Sequence, residues 1–236
     1  MPAIIKLPDS LKLIKAIILD FDGTVINPPK IDWNGMKRAV YEFLRKMGII
    51  LKRRSSFLAD ITSCLLRACS SQSEFFRVRK SVYDIITKFE MEGIKYPITP
   101  TKNISHFLKT IKKMSLKTAI FSSNSREFII KVLEKISLIQ YFDIIVSRDD
   151  VLWPKPNPEG ILKICKVLNV NPNNCVVIGD LPYDIVAARK AGCIPIGVLS
   201  GRGTKEELLK AGAIFVFPCV QEILSVLQPL DISCEN

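Results

Sequence analysis

A chain of 236 residues can form one large domain or two modest ones, and 48% hydrophobic with 24% charged residues supply a genuine core. No apolar run approaches the ~20 residues that cross a bilayer, and Met1-Pro-Ala-Ile-Ile-Lys6 lacks the apolar stretch of a secretory signal; no membrane partner and a cytoplasmic location are expected. The net charge of +11 is uneven, with 14 Lys and Arg against 7 Asp and Glu in residues 27–97, which admits a polyanionic partner or simply a solvated basic surface.

The first element, residues 13–19, reads as a buried strand and runs into Asp20-Phe-Asp22-Gly-Thr24. A buried strand has no use for charge, so these carboxylates belong where the strand leaves its sheet. Two carboxylates two residues apart repel unless a cation sits between them, and an oxygen-rich site suits Mg²⁺. Gly23 permits a sharp turn or close backbone approach. Metal, carboxylate and an anion-facing turn point to chemistry on a phosphate ester; taken alone, the same residues also fit a strand followed by an Asp/Gly turn.

From about 34 to 92 the spacing is helical throughout: Met36, Val40, Phe43, Leu44 and Met47; Phe57, Ile61 and Leu65; Phe75, Val78, Val82, Ile85 and Phe89. Gly48 and Gly93 read as stops, and Ser70-Ser-Gln-Ser73 as an inter-helix loop with an N-cap. The segment 27–97 is therefore expected to be an all-helical insert, closed by Tyr96-Pro-Ile-Thr-Pro100, in a core made of 1–26 and 98–236. After it, strands at Lys117–Ser122, Phe142–Ser147, Cys175–Gly179, Ile194–Val198 and Ala213–Phe217 alternate with helices at 101–114, 125–137, 157–168, 182–192, 204–211 and near 219–228. Apolar strands separated by helices predict an α/β fold with a mostly parallel, Rossmann-like sheet covered on both faces.

Ligands bind beyond the carboxyl ends of such strands. Asp20 and Asp22, Ser122-Ser123-Asn124, Lys155-Pro-Asn-Pro158, and Gly179-Asp180 with Asp184 all fall there, and that convergence is the strongest signal in the chain. The seven cysteines, Cys64, Cys69, Cys165, Cys175, Cys193, Cys219 and Cys234, form no Cys-x-x-Cys pair, mostly have apolar neighbours, and read as small core residues. The one histidine, His106, reads as an ordinary helix position, and Trp33 and Trp153 as covers beside the site.

In order, Asp20-Phe-Asp22-Gly-Thr24, Ser122 after its strand, Lys155 before proline and Gly179-Asp180-Leu-Pro-Tyr-Asp184 resemble the four motifs of the haloacid dehalogenase superfamily, on its phosphatase side. Asp184-Ile-Val-Ala-Ala-Arg-Lys-Ala-Gly192 and Gly201-Arg-Gly-Thr-Lys-Glu-Glu-Leu-Leu209 are similar to its phosphoglycolate-phosphatase-type members, whose helical cap has the position of the insert here. The resemblance implies that Asp20 is a nucleophile forming an aspartyl-phosphate and that Asp22 is the general acid and base. It further implies that Asp20, Asp180, the Asp22 carbonyl and Asp184 hold Mg²⁺, that Thr24, Ser122, Ser123 and Lys155 bind phosphate, and that Lys155 also serves catalysis. The motif-two register stays open between Ser122 and its two neighbours. Pro182, with no N–H, departs from the small polar residue often found there and leaves outer hydrogen bonding unassigned. The acid at Asp22 sets aside dehalogenase and phosphonate-cleaving relatives.

The expected activity is thus Mg²⁺-dependent hydrolysis of a small phosphorylated metabolite, phosphoglycolate by default. A sugar phosphomutase, or a non-catalytic member binding nucleic acid or protein through its basic insert, are the alternatives; nucleic acid is not favoured. Among Lys37, Arg38, Arg45, Lys46, Lys52, Arg53 and Arg54, an arginine suits a second anionic group, though no single residue stands out. Oligomeric state is not encoded legibly.

Overall fold

Ala16–Leu19, all fully buried, form strand β1 of the computed structural model, which describes residues 13–51 and 56–227. The other strands are β2 (Lys117–Phe121), β3 (Ile144–Val146), β4 (Cys175–Gly179), β5 (Ile194–Val198) and β6 (Phe215–Phe217). The sheet order is β3-β2-β1-β4-β5-β6 with every neighbouring pair parallel. β1 sits in the middle because the chain winds outward from it in both directions. That reversal leaves a crevice at the carboxyl ends of β1 and β4, the expected place for a ligand.

The strand period of two sends Ile17 and Leu19 to one face of the sheet and Ala16 and Ile18 to the other. The first face packs on α4 (Ile104–Lys113) and α5 (Arg126–Lys135) through Phe107, Leu108, Phe128 and Val132. The second packs on α6 (Glu159–Leu168) and α7 (Pro182–Ala191) through Ile161, Ile164, Ala187 and Ala188. Each fully buried aliphatic side chain stabilises by roughly 1.5–3 kcal/mol, so both faces hold the strand ends firmly.

The segment after β1 holds no strand among its described residues. Helices α1 (Trp33–Lys46), α2 (Phe57–Ala68) and α3 (Gln72–Gly93) share their own apolar cluster, with Val40, Leu44, Ile61, Leu65, Val78 and Val82 at its centre. Ser71 caps α3 by accepting from the Glu74 N–H at 3.1 Å, and Glu74 accepts from the Ser70 N–H at 2.7 Å. The two chain crossings into these helices are tied together. The Asn27 N–H donates to the Thr99 carbonyl at 2.9 Å, and the Asn27 side chain donates to Thr99 Oγ1 at 2.9 Å.

Several expected boundaries move. β1 begins at Ala16 rather than 13, with Leu13 exposed. α3 ends at Gly93 as expected, though the glycine serves close packing there, since a Cβ would fall 2.9 Å from Ile31 Cγ1. β6 starts at Phe215 because Gly212 ends α8 (Lys205–Ala211) with φ of 101° and the Ala213 N–H folds back to the Leu208 carbonyl. The last expected helix is a 3-10 turn, Val220–Ile223, leading into α9 (Leu224–Leu227). Lys52, Arg53, Arg54, Cys234 and residue 228 lie outside the described residues. No described helix is long and apolar enough to cross a membrane.

Candidate active site

Where β1 ends, Phe21 is buried and meets Phe128 edge-on at 6.2 Å, while Asp20 and Asp22 line a cavity of about 420 Å³. The turn that follows is closed by the Gly23 N–H on the Ile26 carbonyl at 2.7 Å and the Val25 N–H on the Phe21 carbonyl at 2.9 Å. Gly23 has φ of 83°, and a Cβ there would lie 2.6 Å from Asp180 Oδ2. Conformation and space both require glycine.

Lys155 is buried, with Nζ 2.5 Å from Asp20 Oδ1 and 2.6 Å from Asp184 Oδ1. Its peptide bond to Pro156 is cis, and its carbonyl accepts from Ser56 Oγ at 2.7 Å, joining the lysine loop to the helical segment. Asp180 follows β4 and accepts the Arg202 N–H on Oδ2 at 2.8 Å; its buried Oδ1 has no hydrogen-bond partner. Asp184, in the first turn of α7, accepts from the Leu181 N–H at 3.0 Å. That bond answers the question raised by Pro182: the donor comes from the residue before the proline.

Carboxylate oxygens of Asp20, Asp180 and Asp184 lie within 4.8 Å of one another. Burial first, then Asp184 and Asp180 against the opposing pull of Lys155, pushes Asp20 up to about 8. Burial and Asp184 push Asp180 up to about 7, with the Arg202 N–H opposing. Burial opposes charge on Lys155, but Asp184 and Asp20 prevail and hold its ammonium above the usual range. One lysine does not balance this much buried carboxylate. Hard oxygen donors, crowding of like charge and the orphaned Asp180 Oδ1 fit a hard divalent cation such as Mg²⁺.

Asp22 stands apart from that cluster. Burial raises it to about 7, against the Asn124 amide, which donates to Asp22 Oδ2 at 3.0 Å. A carboxyl group poised near neutrality can give a proton and take one back. Ser122 and Ser123 line the same cavity, and Ser122 Oγ accepts from the Asn124 N–H at 3.1 Å. Thr24, expected with the phosphate-binding group, is fully buried beneath the cavity and does not line it. Phe21 and Val25 fold the turn inward there, and the Thr24 carbonyl accepts from Thr101 Oγ1 at 2.6 Å. His106 is exposed on α4, and neither it nor Trp153 lines the cavity.

Asn124 lies at the rim where its motif was expected, and three further polar lining residues, Arg202, Glu90 and Arg148, were not among the expected site residues. Asn124 orients Asp22. Arg202 presents its backbone to Asp180 and its guanidinium to the Trp33 ring, 5.2 Å from the centroid. Glu90, in the last turns of α3, and Arg148, just after β3, form a fully buried ion pair across the wall of the cavity. An arginine in a glycine-rich segment after a strand was the one available signal for Arg202; the pair 58 residues apart left none.

The sequence profile of the haloacid dehalogenase-like hydrolases matches residues 17–198. A phosphoglycolate phosphatase of Aquifex aeolicus is 26% identical over 182 residues, covering 76% of this chain and 82% of the relative. A phosphorylated carbohydrates phosphatase of Thermotoga maritima is 27% identical over 219 residues, covering 91% and 99%. Among solved structures, a hydrolase from Pseudomonas syringae superposes with a TM-score of 0.63 at 26% identity, covering 91% of this chain and 97% of that one. The profile spans all four motif segments, from β1 to β5, and the chain belongs to the haloacid dehalogenase-like hydrolase family as an enzyme of its phosphatase kind.

Proposed function

We propose that the protein is a Mg²⁺-dependent phosphatase for a small phosphate monoester that carries a second anionic group, and that residues 27–97 act as its cap. The observation that carries this reading is the meeting of Asp20, Lys155, Asp180 and Asp184 at one buried spot, with the separately tuned acid Asp22 beside it. Asp20 attacks phosphorus to form an aspartyl-phosphate as the ester oxygen leaves. Asp22 protonates that oxygen, then removes a proton from the water that cleaves the intermediate. Lys155 neutralises charge gathering between Asp20 and the phosphoryl oxygens; Ser122 Oγ and the Ser123 N–H position those oxygens. Asp20, Asp180, Asp184 and the Asp22 carbonyl would hold the cation, which when bound neutralises phosphoryl charge.

Phosphate release from a panel of esters tests this directly. Turnover is expected to fall to background after chelation with EDTA and to return with Mg²⁺. Turnover indifferent to chelation would remove the metal from the reading. Phosphoryl transfer to a sugar hydroxyl without phosphate release would instead favour a mutase.

The cavity also carries a reading of substrate class. Lys155 and Arg148 are already engaged by carboxylates, whereas Lys37 and Arg202 line the cavity without an ion pair among the described residues. Trp33 and Lys37 lie one turn apart on α1, and Arg202 lies over Trp33, so the two cations share one side. They suit a carboxylate or second phosphate, which makes phosphoglycolate a reasonable default. Lys37→Ala and Arg202→Ala are each expected to raise KM roughly 10–100-fold for such a substrate, as befits a lost charged hydrogen bond of about 1.5–3 kcal/mol. An ester without a second anion should be nearly unaffected. Equal losses on both substrates would refute the assignment.

A further inference from the structure

Away from the carboxylates, three thiols converge. Cys165 on α6, Cys175 at the start of β4 and Cys193 just before β5 are all buried, and their sulfurs lie within 4.8 Å of one another. Cys165 Sγ and Cys175 Sγ are 3.6 Å apart, and all three cysteines are reduced. Core packing alone asks only for small apolar volume at each position; it gives no reason for three sulfurs from three elements to face a common centre. A metal ion does. At a metal–sulfur distance of about 2.3 Å, three ligands sit roughly 3.8–4.0 Å apart in tetrahedral or trigonal geometry. The Cys165–Cys175 spacing of 3.6 Å lies close to that value and Cys193 Sγ is within 4.8 Å of both sulfurs, so little rearrangement is needed.

We propose that Cys165, Cys175 and Cys193 form a site for one soft, thiophilic metal ion, separate from the Mg²⁺ site in both place and chemistry. Thiol sulfur selects soft ions and rejects Mg²⁺, while the all-oxygen aspartate cluster does the reverse. The surroundings are apolar, with Ile18, Ile161, Val177 and Ala188 in the same cluster. Charge must therefore balance within the site itself. A divalent ion displaces two protons, leaving two thiolates, one neutral thiol and no net charge; the protons go to solvent. The position indicates a structural role. Cys175 opens β4 and Asp180 follows its last residue, so about five residues, roughly 16 Å of strand, separate the thiols from the catalytic rim. The ion would pin α6, β4 and the α7–β5 turn together at the amino end of the sheet.

The test uses the full-length protein, reduced and titrated with Cd²⁺, whose sulfur-to-metal charge-transfer band in the ultraviolet counts only sulfur-bound ion. One sulfur-bound equivalent per chain is expected, with Tm raised by about 5–10 °C at a hundredfold excess over Kd. The band should vanish in Cys175→Ala and Cys193→Ala and persist in the Cys64→Ser/Cys69→Ser double variant. Should the alanine variants fold poorly, X-ray absorption at the cadmium edge of the unaltered protein decides, and three sulfur neighbours are expected. No band in the unaltered protein, a band surviving both alanine variants, or a Cys165–Cys175 disulfide in place of bound metal would each overturn the site.

Discussion

Asp20→Asn is expected to lower metal-dependent turnover by at least about 10³-fold while leaving the protein folded. The reasoning separates chemistry from stability. An amide cannot take up the phosphoryl group, and removing a covalent nucleophile typically costs three or more orders of magnitude. The folded state, by contrast, loses a carboxylate that burial and two acidic neighbours already disfavour. Lys155 keeps Asp184 at 2.6 Å as a partner, so no buried charge is orphaned. Tm should therefore hold or rise as activity disappears. Phosphate-release assays and thermal melts on one preparation read both quantities; retained turnover would remove Asp20 from the nucleophile's role.

Glu90→Ala is expected to have the largest effect on stability, about 3–5 kcal/mol, because it strands the Arg148 guanidinium in the interior. In the intact protein Arg148 donates to both Glu90 oxygens, to Thr87 Oγ1 at 2.7 Å and to the Ser123 carbonyl at 3.2 Å. Ser125 Oγ donates to Glu90 Oε2 at 2.7 Å. One ion pair thus joins α3, the turn after β3 and the serine loop that lines the cavity. The loss should lower Tm by roughly 6–20 °C. Replacing both partners with apolar residues of similar volume, Glu90→Leu with Arg148→Met, should recover most of it, since no lone charge remains. Activity should not recover, because Ser123 still lacks its guanidinium donor. A Glu90→Ala protein melting close to the parent would show that the pair contributes little.

These two residues also mark the limit of what the sequence could tell. The sheet, the burial of its strands and the carboxylates that meet at its rim were legible because each rests on a local pattern: an apolar run, a glycine turn, a charge at a strand end. Helix α3 shows why the rest was not. Its spacing suggested an inward face of Phe75, Val78, Val82, Ile85 and Phe89, but the buried residues are Phe75, Val78, Arg79, Val82, Tyr83, Ile86, Glu90 and Gly93. The face drifts one residue over a 22-residue helix, and the drift carries a glutamate inward to meet an arginine. A charge that is buried only because its partner arrives from distant sequence leaves no periodic trace. Thr24 differs for the opposite reason: it sits in a recognisable motif, yet the turn buries it outside the cavity lining. The three clustered thiols combine both difficulties, since each alone looks like an ordinary core residue.

Positions 201 and 202 lie side by side yet face opposite demands. A Cβ on Gly201 would fall 1.9 Å from Asp180 Oδ2, so that position is closed to every other residue. Arg202 serves Asp180 through its backbone N–H, a group that every residue except proline supplies, while its side chain alone faces the cavity. Descendants of this enzyme could therefore exchange the side chain at 202 without disturbing the Asp180 carboxylate that its backbone holds. Innovation and constraint are separated here by a single peptide bond.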